Sequence, residues 1–155
     1  MTVTFFGHSD IYPNKIINEA IKEVLRRECA ECERITCYVG GYGGFDEACA
    51  RACMELKRER GGIEVVYVTP YIDSCAQKKM AEMLTLGLCD STVYPPLEGV
   101  PPRYAILKRN EWMITSSQLI IAYVKRSYGG AYRSLKFATL NKKRIINVGE
   151  RVRHG

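Results

Sequence analysis

Histidine and tryptophan are scarce in this chain: His8 and His154 are the two histidines, and Trp112 is the single tryptophan. Cys29 and Cys32 form a CxxC pair, but no second such pair or neighbouring histidine pair completes a zinc set. No metal and no cofactor are therefore expected. No apolar run approaches the length of a membrane span, and Met1 to Phe6 lacks both a basic segment and a long apolar one, so neither a membrane partner nor an export signal is read here. Low-complexity tracts and internal repeats are absent, as are a helix-turn-helix pattern and a basic stripe interleaved with aromatics. The expectation is a soluble, cytoplasmic protein in which nucleic-acid binding is possible but not favoured.

What is present fits one domain over residues 1–155. The composition is 46% hydrophobic and 26% charged, ordinary for a globular core of this size. The net charge of +6 favours anionic ligands, although the basic residues are scattered, from Arg26-Arg27 to Lys142-Lys143-Arg144 and Arg151. Seven cysteines, an odd number, do not suggest a disulfide framework. Cys49 and Cys53 share a helical stripe with Phe45, Ala48, Ala52 and Leu56, and Cys37 falls inside an apolar strand, so these thiols read as core.

The periodicity alternates between strand and helix. Strands are expected near Val3–Phe6, Ile35–Val39, Ile63–Thr69, Ser91–Tyr94, Leu119–Val124 and Arg144–Val148. Between them, Ile16, Ile17, Ala20, Ile21, Val24 and Leu25 mark one amphipathic helix, and others are expected over Phe45–Arg58, Ser74–Leu86, Arg103–Thr115 and up to about Leu140. This order predicts an α/β, Rossmann-like domain with a largely parallel sheet and helices on both faces. The order of strands around residues 71–102 stays open.

In such sheets ligands sit beyond the carboxyl ends of the strands. Three glycine-bearing turns fall there: Gly7-His8-Ser9, Gly40-Gly41-Tyr42-Gly43-Gly44 and Ser127-Tyr128-Gly129-Gly130. The second, leading into Phe45 and a helix, reads as a phosphate cradle, because glycine admits close approach and a helix start offers free N–H groups. His8, Ser9 and Ser127 could hydrogen-bond a phosphate; Arg109 and Arg133 could fork onto one. Tyr42, Tyr71 and Tyr128 flank the expected pocket, where one of them could stack on a base.

The motifs Gly7-His8, Gly43-Gly44-Phe45-Asp46, Pro101-Pro102-Arg103-Tyr104-Ala105-Ile106, Arg109-Asn110-Glu111-Trp112-Met113 and Ser127-Tyr128-Gly129-Gly130-Ala131 together resemble the YpsA-like branch of the SLOG superfamily. That superfamily also holds DNA-processing protein A and the LOG phosphoribohydrolases. The resemblance implies a nucleotide-type ligand and a homo-oligomer, with Arg109 on the functional arginine of LOG enzymes. It departs where those enzymes carry their catalytic glutamate, since Leu135 stands there. Leucine cannot stabilise the positive charge that develops on a sugar losing its base. A binding, sensing or sequestering role is therefore expected ahead of N-glycosidic hydrolysis or transfer. If catalysis occurs, Asp46 or Glu47 must supply the carboxylate beside Arg109; otherwise both acidic residues simply favour a helix start.

Overall fold

In a computed structural model, residues 1–150 are described; Arg151 and the rest of the basic end lie outside them. Six strands, β1 (Thr2–Gly7), β2 (Ile35–Val39), β3 (Ile63–Val68), β4 (Ser91–Val93), β5 (Leu119–Tyr123) and β6 (Arg144–Asn147), form one parallel sheet in the order β4-β3-β2-β1-β5-β6. Five helices connect them: α1 (Lys15–Glu28), α2 (Gly44–Arg60), α3 (Ser74–Thr85), α4 (Ala105–Thr115) and α5 (Gly130–Leu140). This is the expected α/β Rossmann-like fold.

The apolar alternation decides which face each helix covers. Ile35, Cys37 and Val39 of β2 and Ile63, Val65 and Tyr67 of β3 join the apolar stripes of α1 and α2 in one core, which also takes Met83 from α3. Cys29, Cys37, Cys49 and Cys53 are buried in this layer, and burial pushes the Cys29 thiol up to about 11 and Cys49 well above the usual range. They are inert packing groups. On the opposite face Phe6, Ile120 and Ala122 meet Ile114 of α4 and Ala138 of α5.

The middle of the chain resolves what the sequence left open. Asp73 caps α3 by accepting the Ala76 N–H at 2.8 Å, and the three-residue β4 then takes the sheet edge beside β3. The helix expected from Arg103 begins with a 3₁₀ turn over Pro102–Tyr104 before α4 proper, because proline fits the first turn of a helix but cannot donate within it.

After β4 the chain returns across the sheet to place β5 against the far side of β1. The helices leaving β1 and β5 consequently lie on opposite faces, α1 packed on α2 and α5 on α4. Between the carboxyl ends of β1 and β5 a crevice opens at the point where strand order reverses.

Candidate functional site

The crevice is a cleft of about 440 Å³. Gly7, His8 and Ser9 line it from the β1 side, Tyr42 and Asp46 from the β2–α2 side, Arg109 and Asn110 from α4, and Tyr128, Gly129 and Gly130 from the β5–α5 side. All three glycine-bearing turns thus meet at one edge, but they do not contribute alike.

The β2–α2 turn is closed by the protein itself. A Cβ on Gly44 would stand 1.6 Å from the Ile11 carbonyl oxygen, and one on Gly43 would stand 2.5 Å from Ser9 Cα. A Cβ on Gly41 would run into the Tyr67 ring at 2.4 Å, and one on Gly40 would lie 2.5 Å from Asp46 Oδ2 and 3.2 Å from Arg109 Nη2. Donors at the start of α2 are also engaged: Gly44 N–H bonds the Ser9 carbonyl at 2.9 Å, and Asp46 Oδ2 accepts the Tyr42 N–H at 2.9 Å. Gly40, Gly41, Gly43, Gly44, Phe45 and Glu47 do not line the cleft. On the cleft side the turn expected as a phosphate cradle is packed, Gly43 and Gly44 against the β1–α1 loop, Gly41 against the Tyr67 ring and Gly40 against Asp46; Gly40, Gly41, Gly43 and Glu47 line a second space between α2 and α3. Phe45 is fully buried against Gly7, and Glu47 pairs with Arg51 at 3.0 Å.

The β5–α5 turn is open. Gly129 has φ +91°, a conformation that disfavours side chains, and nothing lies within 4 Å of a Cβ on either Gly129 or Gly130. No side chain caps α5, and its first turn holds no acidic residue. By contrast, Asn14 caps α1 by accepting the Ile17 N–H at 3.0 Å. The start of α5 therefore presents a positive dipole end to the cleft, and among the described residues no side chain hydrogen-bonds its first N–H groups.

His8 fixes this open turn in place. Its Nε2 accepts the N–H groups of Lys125 at 2.9 Å and Arg126 at 3.3 Å, continuing the β1–β5 ladder beyond its last backbone bonds. That arrangement requires a neutral ring with its proton on Nδ1. Burial, and next the Arg126 charge, hold His8 below its ordinary pKa, which preserves the acceptor. The expected donation from His8 to a phosphate is thus not available at Nε2. Arg126 also makes a two-pronged ion pair with Asp10 across the mouth of the cleft; neither residue was singled out in the sequence.

Arg109 is the most deeply placed charge, 1% exposed. Its Nη1 donates to the Val68 carbonyl at 2.7 Å and its Nε to Asn110 Oδ1 at 2.9 Å. Burial pushes its pKa down, with Asp46 opposing. Asp46 is pushed up by burial, with Arg109 the main counterweight, yet no ion pair joins the two within 4.0 Å among the described residues. A buried cation and a partly buried carboxylate thus face one cleft without neutralising one another directly. Tyr67 is fully buried, and its hydroxyl, close to Tyr42 and Thr69, makes no hydrogen bond within 3.5 Å among the described residues.

The aromatic expectations divide. Lys79 Nζ lies 4.6 Å from the Tyr42 ring centre, Arg109 lies at 5.8 Å and Tyr71 meets the ring edge-on, so Tyr42 is already surrounded. Tyr71 donates its hydroxyl to the Pro102 carbonyl at 3.1 Å and does not line the cleft. Tyr128, 67% exposed, stays at the rim with Arg126 near its ring. Ser127 and Arg133 are exposed and, like Tyr71, do not line the cleft, although Ser127 lies between the lining residues Arg126 and Tyr128. Leu135 packs on the apolar core under α5, which accounts for an apolar residue where LOG enzymes carry a carboxylate. Asn110, missed by sequence reasoning, reaches the cleft because it follows Arg109 on α4; its place beside a singled-out arginine was the available signal.

No protein-family model matches this chain, and no curated protein matches it. Solved structures do. DNA processing protein A from Streptococcus pneumoniae aligns over 93% of this chain and 48% of its own, with 15% identity and a TM-score of 0.62. The same protein from Helicobacter pylori, described for its single-stranded DNA binding mode, aligns over 94% and 63%, with 18% identity and a TM-score of 0.58. TM1055, a structural-genomics target, aligns over 93% and 71%, with 17% identity and a TM-score of 0.56. The chain spans about half the length of the pneumococcal protein. At such identities the likeness is one of fold: this chain has the Rossmann-like architecture seen in DNA processing protein A and in TM1055.

Proposed function

We infer that the chain binds a nucleotide-derived ligand whose phosphate is held at the start of α5, and that it senses or sequesters that ligand as a YpsA-like member of the SLOG superfamily. The observation that carries this reading is the uncapped, acid-free and unobstructed N-terminus of α5 in the β1/β5 cleft. A helix start of this kind selects anions. Arg109 adds a buried positive charge at the floor, and the Asp10–Arg126 ion pair stands at the mouth; neither occupies the opening. Pairing of two copies, expected from the resemblance, belongs to the same reading.

Thermal shift and titration with ribose 5-phosphate, AMP, ADP-ribose and adenosine test it. The three phosphates should stabilise the fold as their concentrations exceed Kd, by RT ln(1 + [L]/Kd), while adenosine should not. Absence of any shift with all three phosphates at millimolar concentration would sink the reading.

A second reading is favoured by one feature, the Asp46 carboxylate that burial pushes above its ordinary pKa at the cleft wall. Such a group suits an acid or base in N-glycosidic cleavage. Release of free base on incubation with AMP, abolished in Asp46→Asn, would establish it. Binding of single-stranded DNA, described for the Helicobacter pylori protein, ranks behind both for this chain, and steeply salt-dependent binding of oligonucleotides would raise it.

A further inference from the structure

A second cavity, of about 370 Å³, opens on the opposite side of the Gly40–Gly44 turn, between α2 and α3. Ala50, Met83, Leu86 and Leu88 give it apolar walls, and Lys79 and Glu82 stand on its rim. It adjoins the cleft through Asp46, which lines both spaces. One Asp46 oxygen accepts the Tyr42 N–H, and the other takes no hydrogen bond among the described residues. Nearby, the buried Tyr67 has its ring against Gly41, and its hydroxyl, with Tyr42 and Thr69 close by, makes no hydrogen bond within 3.5 Å among the described residues. Unused polar capacity is therefore concentrated where the two spaces meet.

The cleft by itself offers a base little. Its inner aromatic, Tyr42, is engaged by Lys79 and Arg109, and its outer one, Tyr128, stands largely in solvent. Another cavity adjoins the cleft beside His8, but there the boundary is formed by bonded groups, the Asp10–Arg126 ion pair and the two N–H bonds to His8. At Asp46, among the described residues, the Tyr42 N–H alone is bonded to the carboxylate. Asp46, a carboxylate suited to accept from ribose hydroxyls, stands on the wall that the cleft shares with the apolar α2/α3 cavity.

We propose that the α2/α3 cavity receives the base of the nucleotide, and that Glu82 on its rim favours bases bearing an exocyclic amine by accepting a hydrogen bond from it. This rests on the reading of the α5 start as the phosphate site. Specificity then arises on the far side of the turn from the phosphate. An amine–carboxylate contact at the rim discriminates against a base presenting an oxygen there, since two acceptors would face one another.

The experiment is isothermal titration of ribose 5-phosphate, AMP and IMP into the wild type, Ala50→Leu and Glu82→Ala. Ala50→Leu grows a side chain into the cavity; Glu82 is exposed, so its replacement leaves the fold intact even where Ala50→Leu does not. AMP is expected to bind at least about tenfold tighter than ribose 5-phosphate and about fivefold tighter than IMP. Ala50→Leu should bring AMP down to the level of ribose 5-phosphate, itself unchanged, and Glu82→Ala should erase the preference for AMP over IMP. Equal binding of AMP and ribose 5-phosphate overturns this inference alone, as does an AMP margin or an AMP preference that survives these changes. Failure of both AMP and ribose 5-phosphate to bind overturns the phosphate reading with it.

Discussion

The turn after β2 and the turn after β5 share a backbone plan and differ in what stands against it. Each ends in a glycine N-cap of nearly the same conformation, φ 107° and ψ 176° at Gly43, φ 91° and ψ −178° at Gly129. Each leads into a helix without a side-chain cap. At the first turn the β1–α1 loop and Tyr67 fill the space beside the glycines; at the second that space is empty. Glycine therefore answers two different demands in one molecule, close approach by the protein's own atoms at α2 and an approach left open at α5. The difference can be broken or sharpened by substitutions placed on one turn and then on the other.

The largest effect belongs to Gly44→Ala. Its Cβ would meet the Ile11 backbone, which cannot rotate away as a flexible side chain can. Overpacking against backbone costs about 3 kcal/mol or more, and urea denaturation should show the midpoint falling accordingly. A stability within roughly 0.5 kcal/mol of wild type, the range of neutral surface changes, would mean that the β2–α2 turn is not closed in this way.

Gly130→Asp comes next and acts on the other axis. A carboxylate in the first turn of α5 suits the helix dipole by about 0.3–1 kcal/mol, so the melting temperature should hold or rise slightly. The same charge beside a bound phosphate should weaken AMP by about thirtyfold or more, through like-charge repulsion. If affinity is unaffected while stability holds, the phosphate lies elsewhere.

His8 ties the open turn to β1 and makes it sensitive to pH. Its folded pKa is lowered, by burial first and Arg126 second, with Asp10 opposing. Between that folded value and the unfolded value near 6.5, the unfolded chain binds more protons, so stability rises with pH. The contribution is complete above about pH 6.5 and is lost as pH falls toward the folded pKa. One proton limits the slope to about 1.4 kcal/mol per pH unit. Subtracting urea data for His8→Gln at pH 7.5 and 5.5 from wild-type data isolates it; identical pH dependence in the two proteins would contradict the acceptor role.

The contrast between the turns also explains what could be read in advance. Strand and helix positions followed from local periodicity, and the meeting of three glycine turns followed from parallel topology, so the cleft's location was legible. The use of each glycine was not, because Ile11 and Ser9 reach Gly44 and Gly43 from a loop more than thirty residues away in sequence. Tyr42 and Tyr71 read as equals of Tyr128, but Lys79 from α3 and Pro102 after β4 occupy the first two. Both partners come from the stretch around residues 71–102, whose place in the sheet the pattern left open. Leu135 was legible as a missing carboxylate, and its packing under α5 supplies the reason.

The smallest predicted effect separates the turns most cleanly. Gly130 is the first residue of α5 and does not need positive φ, and its Cβ position faces open space. Gly130→Ala should therefore stabilise the free protein by about 0.4–1 kcal/mol, chiefly by restricting the unfolded chain. If the proposed phosphate approaches the N–H groups through that open space, the methyl group narrows it, so the affinity for ribose 5-phosphate should fall as stability rises. Opposite signs from a single methyl would mark a position kept open for a ligand rather than for folding. The same substitution at Gly44 would lower stability with no such trade, because its methyl group would meet the Ile11 backbone.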